Sequence, residues 1–215
     1  MFITFEGVEG SGKSTQIALT KNWLIQRGQA ATITREPGGC ALGRTLRAIL
    51  LDARNTQLDA TAELFLYLAD RAQHVAEVVR PALERGEIVL CDRYHDSTVA
   101  YQGFGRGLDV SRLMELGAIA SGGLVPDVTV LLDLPVELGL ARARSRNDAV
   151  GASVAEGRFE ALDMAFHQRV RDGFLTLAAN EPARFAIIDA IGNPDDVFAR
   201  VQCKLLAVLS NRLSL

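Results

Sequence analysis

Cysteine is scarce in this chain: only three in 215 residues, Cys40, Cys91 and Cys203. They are scattered, odd in number and without metal-ligand spacing, which argues against a disulfide framework or a zinc site. The expectation is buried, reduced thiols in a cytosolic protein. No apolar run approaches the roughly 20 residues that a membrane-spanning helix needs. The N-terminus, MFITFEG, has no basic region ahead of an apolar one, so no secretory signal is expected there. Excess positive charge is missing as well. With 23 basic and 26 acidic residues the formal net charge is −3, which gives no electrostatic footprint for nucleic acid or an anionic membrane surface. Any anion must therefore be held by a local site.

An apolar share of 48% and a charged share of 23% are ordinary for a globular domain, and 215 residues suffice for one core. Short β-rich runs alternate with helical patterns. Strands are expected at 2–6, 31–36, 87–93, 127–134 and 184–190, and helices at 14–26, 42–51, 60–85, 111–121, 135–146 and from Pro194 onward. The alternation predicts an α/β fold, a parallel five-stranded sheet with helices on both faces, in a single domain spanning 1–215. Residues 147–157, NDAVGASVAEG, interrupt it. They are small and flanked by Arg142, Arg144 and Arg146 before and Arg158 after. Such a segment reads as a solvated loop or as a lid that closes basic side chains over a substrate.

Residues 7–15, GVEGSGKST, satisfy G-x-x-x-x-G-K-S/T between a predicted strand and a predicted helix. Gly7, Gly10 and Gly12 let successive N–H groups turn inward toward phosphate oxygens, and the following helix offers its positive end to the same anion. Lys13 would reach the β- and γ-phosphates, and the Ser14 hydroxyl would ligate magnesium (Mg2+). A nucleoside triphosphate site is the consequence, with Val8, Glu9, Ser11 and Thr15 completing the loop. No N-K-x-D-like run reads guanine, which argues against a switch GTPase. Glu9 is the oddity, a carboxylate among N–H donors.

A second group of anion-binding signals lies at neighbouring strand ends. TREPGG (34–39) places Arg35 at the end of the second strand, and CDRYHDS (91–97) places Asp92 and Arg93 at the end of the third. Ligands of open α/β sheets bind at that edge. Two arginines there could fork onto a second phosphate, and Asp92 could hold magnesium directly or through water. Each arginine alone would more often form a surface ion pair with a nearby acid such as Glu36 or Asp96, but both at the same strand edge favour the functional reading.

TREPGG, ELFLYLADRAQH (63–74), DRYHDSTVAYQGFGRG (92–107) and VLLDLPVELGLARARSR (130–146) resemble the thymidylate kinase family, from Phe2 to the final helix. The resemblance implies transfer of the γ-phosphoryl group of MgATP to dTMP, giving dTDP and ADP for dTTP synthesis. It also implies a cytosolic homodimer packed through long helices such as 60–85. Arg35 and Arg93 would grip the dTMP phosphate, with Ser97 lining the same site. Arg71 would contact thymine, and Tyr67 would stack on the ring where the family usually has phenylalanine. Thr98 would bond the thymine edge. Tyr101 would pack against the 2′ carbon and disfavour a ribose hydroxyl, with Gln102 beside it. Some relatives carry an arginine inside the phosphate loop; here that position is Gly10. The missing charge is then expected from the lid, about 146–158, with Arg158 the first catalytic candidate and Arg146 the second. Arg146 could instead stack on adenine, and Arg142 belongs to the ATP-binding set. The acid at position 9 would contact the 3′-hydroxyl of dTMP and help place the lid arginine and magnesium. Rival readings are a kinase for another nucleoside monophosphate or a deoxynucleoside, and a non-catalytic ATP sensor.

Overall fold

The computed structural model describes residues 1–150, 158–159 and 161–212, with the side chains of 146–150 and 209–212 left aside. Five strands form one sheet: β1 Phe2–Glu6, β2 Ala31–Arg35, β3 Ile88–Asp92, β4 Val128–Asp133 and β5 Phe185–Asp189. Their order is β2-β3-β1-β4-β5, and every neighbouring pair is parallel. The three central strands are almost wholly buried, whereas edge strands β2 and β5 are half-exposed. That contrast follows from composition: IVLC and VTVLL are apolar on both faces, as a strand covered on both sides must be.

The period of two decides which core each residue joins. Ile3, Phe5, Ile88 and Leu90 enter one buried cluster, and Phe2, Val89 and Cys91 enter another. Helices α1 Lys13–Ile25, α2 Ala41–Leu51 and α3 Ala60–His74 follow the first two strands. α3 continues through a π-helical turn, Val75–Val79, into α4 Arg80–Glu84, so the single helix expected over 60–85 carries a bulge. α6 Val110–Ser121 and α9 Pro194–Arg212 fall where the spacing places them, whereas α7 Val136–Val150 runs past Arg146 into the segment expected to be a loop from 147 onward, which corrects that boundary.

Two helical stretches have no counterpart in the sequence reading. α5 His95–Thr98 runs into a π-helical segment, Val99–Gly105. Val99, Gly103 and Gly105 disfavour helix in isolation, and packing against α8 holds the segment in place. α8 Met164–Asn180 buries Phe166, Val170, Phe174 and Leu177. That spacing is helical, so the element was legible. Asp163 caps α8 by accepting from the Phe166 N–H at 2.6 Å. All three cysteines are free; Cys40 and Cys91 are buried, but Cys203 is exposed, which corrects the expectation for that thiol. Among the described residues no helix is long and apolar enough to cross a membrane.

Candidate active site

Strand register assembles the site. Arg35 pairs with Asp92 across β2 and β3, and Phe5 pairs with Asp92 across β1 and β3. The carboxyl ends of three adjacent strands thus open at one level, and a cleft of about 620 Å³ lies above them. Residues 9–15 of the glycine-rich loop line its floor. Arg35, Tyr67 and Arg71 line it from β2 and α3. Asp92, Arg93, Ser97, Thr98, Tyr101 and Gln102 line it from β3 and the helical stretch beyond, and Arg142 from α7. Gly7 and Val8 are the exceptions within the loop. Val8 is buried beneath the floor, and Gly7 contributes its carbonyl from below.

That the loop carries glycine at 10 has a steric cause. Gly10 has φ +68°, and a Cβ there would stand 2.0 Å from the carbonyl oxygen of Gly139 on α7. No arginine fits at position 10 while α7 packs so closely. Lys13 bends back over the loop, donating to Gly7 O at 3.0 Å, Val8 O at 3.1 Å and Ser11 Oγ at 3.4 Å. Burial and the neighbouring Arg93 lower its ammonium to about 8, against the pull of Asp92, Glu9 and Glu6. Ser14 Oγ donates to Asp92 Oδ2 at 3.3 Å, so the two oxygens proposed for magnesium converge. No group of three or more His, Cys, Asp or Glu suited to a metal occurs among the described residues. A magnesium held by one hydroxyl, one carboxylate, phosphates and water would need none.

Arg93 adopts φ +69°, the left-handed region that non-glycine residues avoid at a cost of about 1 kcal/mol or more. The turn is over-determined. Arg93 N donates to Phe5 O at 3.0 Å, and the next amide, Tyr94 N, donates to Glu6 Oε1 at 2.7 Å. Ser97 Oγ donates to Glu6 Oε2 at 2.5 Å. Glu6 is fully buried, and burial together with Asp96 pushes its carboxyl up to about 8. With its backbone so bent, Arg93 donates to Gly7 O and Ser97 Oγ, each at 3.1 Å, and to Glu9 Oε1 at 3.2 Å. Burial opposes its charge, yet Tyr101, Glu9 and Asp92 raise its pKa further.

Glu9 does not point to solvent. Its Oε1 accepts from Tyr101 Oη at 2.5 Å as well as from Arg93. Burial alone would raise this carboxyl, but His167, Arg93, Lys13 and Tyr101 hold it down at about 2. On the opposite wall, Arg71 is 1% exposed. It donates to Glu36 Oε2 at 2.8 Å and to Thr98 Oγ1 at 2.9 Å. The Thr98 hydroxyl proton is left to donate elsewhere. Gln102 donates to Glu63 Oε1 at 2.8 Å. Arg35 is exposed, and its side chain makes no hydrogen bond or ion pair to a described residue, so neither Glu36 nor Asp96 holds it. Those two carboxylates pair with Arg71 and Arg184 instead.

The lid candidates separate. Arg158 is buried beside the cleft, donating to Leu50 O at 3.1 Å and Asn55 O at 3.2 Å and pairing with Glu63 Oε2 at 2.6 Å. Residues 151–157 and the side chain of Arg146 lie outside the described residues. Sequence reading missed Glu36, Arg47 and Phe159, which also line the cleft. Glu36 was visible in TREPGG, but only α3 gives it Arg71 as a partner. Arg47 enters because α2 turns its side chain to the Pro37 carbonyl at 3.2 Å.

Residues 5–201 match the family model described as Thymidylate kinase. The chain belongs to the thymidylate kinase family. It is 64% identical over 197 residues to a thymidylate kinase of Solidesulfovibrio magneticus, covering 92% of this chain and 94% of that one. A thymidylate kinase of Nitratidesulfovibrio vulgaris is 60% identical over 210 residues, 98% of each chain. The crystal structure of thymidylate kinase from Ehrlichia chaffeensis superposes with a TM-score of 0.77 at 33% identity, covering 95% of this chain and 98% of that one. The fold is that of the P-loop NTPases. As a thymidylate kinase the enzyme phosphorylates dTMP to dTDP at the expense of ATP.

Proposed function

We propose that Lys13 and Arg93 divide the two substrates between them and meet where the phosphoryl group is transferred. One observation carries this: both donate to the same carbonyl, Gly7 O, at 3.0 and 3.1 Å. A lysine of the ATP loop and an arginine of the acceptor edge thus lie within one carbonyl's reach. Transfer between two phosphates asks for that, because it depends on in-line placement and charge neutralisation more than on covalent chemistry. Lys13 would exchange its loop carbonyls for phosphate oxygens. Arg93 and the exposed Arg35 would hold the dTMP phosphate, while Arg71 and Thr98 read thymine and Tyr67 stacks on it. Tyr101 and Gln102 would face the sugar. Arg142, which donates to Ala190 O at 3.4 Å, would flank the nucleoside end of ATP.

Ser14 and Asp92 would hold magnesium, which supplies charge neutralisation at the transferring phosphate. Arg158 would leave Glu63 and bring its charge to the transferring oxygens as the lid closes, with Arg146 the alternative. Lid closure would also exclude water and suppress idle ATP hydrolysis. Leu42 and Ile49 on α2 and Phe65 on α3 are exposed apolar side chains, and these two helices would form the contact of a homodimer of a cytoplasmic enzyme.

A coupled ADP-release assay with dTMP, dUMP, dCMP, AMP, GMP and thymidine tests the substrate assignment. Turnover with dTMP far above the rest is expected. Strong turnover of AMP or GMP with none of dTMP would overturn it, as would saturable ATP binding with no ADP release.

A further inference from the structure

His167 is one of three histidines in the chain. It is fully buried on α8 and has no part in the roles above. Its Nε2 lies 3.1 Å from the carbonyl oxygen of Phe159. A carbonyl only accepts, so Nε2 carries a proton. The other ring nitrogen, Nδ1, stands 3.3 Å from Glu9 Oε2. This is ion-pair distance without an aligned hydrogen bond, and neither atom has any other partner.

Three proton placements are possible, and the surroundings separate them. A neutral ring with its proton on Nε2 would turn the Nδ1 lone pair toward a carboxylate oxygen, two acceptors face to face in a dry site. A proton on Glu9 would give Nδ1 a donor. Yet the same carboxyl already accepts from the Tyr101 hydroxyl and from cationic Arg93, and both favour the ionised form. A second proton on the ring satisfies every group: Nδ1–H faces Glu9, and Nε2–H faces Phe159.

We infer that His167 is a buried imidazolium bridging the Glu9 carboxylate to the Phe159 carbonyl, and that it acts as a positioning residue for dTMP phosphorylation. Glu9 is then held by both oxygens from different directions, Oε1 by Tyr101 and Arg93 and Oε2 by His167. A carboxylate so gripped cannot rotate freely, so it presents one fixed face to the acceptor. The other end of the bridge is mechanical. Phe159 follows Arg158 at the end of the proposed lid, and its ring meets Tyr101 edge-on, 5.4 Å between centroids at 86°. His167 therefore ties the end of that segment to the acid in the phosphate loop. The inference rests on Glu9 serving the acceptor side.

The test uses the full-length enzyme labelled with 15N-histidine, the His167 signals being assigned by their loss in H167N. At pH 7.5 both ring nitrogens of His167 are expected to show protonated-type shifts; a non-protonated nitrogen there overturns the bridge. Two variants then separate positioning from packing. Asn places its amide nitrogen near the position of Nδ1 and can still donate to Glu9, whereas Gln reaches toward Phe159 and leaves Glu9 without the donor. H167Q is expected to lose about tenfold in kcat/KM for dTMP, the scale of one lost charge-assisted hydrogen bond. The KM for ATP should change less than about twofold, and H167N should recover most of the loss. If H167N and H167Q lose activity alike and in step with Tm, His167 only packs and the inference falls. Equal loss of dTMP and ATP use, with the imidazolium signals present, upholds the bridge and overturns the acceptor-side role of Glu9.

Discussion

The guanidinium of Arg93 lies 4.9 Å from the centre of the Tyr101 ring while its Nη2 reaches Glu9 Oε1, the oxygen that Tyr101 also donates to. Three side chains from different parts of the chain thus define one corner of the cleft. R93K keeps a charge but loses the fork that reaches Gly7, Ser97 and Glu9 together. Two or more charge-assisted hydrogen bonds are lost, at about 1.5–3 kcal/mol each. Steady-state kinetics should show kcat/KM for dTMP down by about 100-fold or more, with KM for ATP within a few-fold. A variant with near-normal dTMP use would remove Arg93 from the acceptor site.

E9Q keeps the shape of the acid and removes its charge. With the carboxyl held down at about 2, Glu9 is ionised at every working pH, so the substitution acts across the whole profile. Turnover of dTMP should suffer more than ATP binding measured by calorimetry. Equal loss of both would place Glu9 on the ATP side.

R158A distinguishes a catalytic arginine from a structural one. A transition-state arginine contributes about 10³-fold in kcat, so kcat should fall by that order with ATP affinity little changed. In this structure the same guanidinium also serves Leu50, Asn55 and Glu63, so Tm should drop as well. A lower Tm with near-normal kcat in the folded enzyme would confine Arg158 to holding α2 against α3.

Glu6 gives a pH signature of its own. Its carboxyl rises from about 4.5 to about 8 on folding. Below 4.5 both folded and unfolded chains hold the proton, and there is no effect. Between 4.5 and 8 the unfolded chain releases a proton that the folded chain keeps, so stability falls as pH rises, by at most about 1.4 kcal/mol per pH unit. Above 8 the loss levels off. E6Q mimics the protonated acid, so its stability relative to wild type in urea melts should increase between pH 5 and 8. A flat difference over that window would show Glu6 ionised in the folded enzyme.

Phe65 on α3 is 56% exposed. If α2 and α3 form the dimer contact, F65E should shift the mass in light scattering from dimer to monomer at micromolar concentration. A monomeric wild type, or a dimer indifferent to F65E, would reject that surface.

The sequence by itself determined the sheet, because five apolar runs alternate with helical patterns at lengths that only parallel strands with crossover helices satisfy. It also determined the phosphate loop, whose glycines, lysine and serine act through neighbouring backbone and need no distant partner to be read. The resemblance then placed the acceptor residues, and the structure gathers all eight of them in one cleft. What only the tertiary structure decided is pairing. Glu63 and Arg158 are 95 residues apart, and nothing local says that the arginine ends on that carboxylate. His167 stood in a helix the reading passed over, and its partner Glu9 lies at the other end of the chain. For Glu9 the resemblance implied an acceptor-side role, but its partners Tyr101, Arg93 and His167 converge on it only through the fold. Local spacing fixes which faces are apolar, but a buried charge is defined by the groups that compensate it, and those are chosen by packing across the chain.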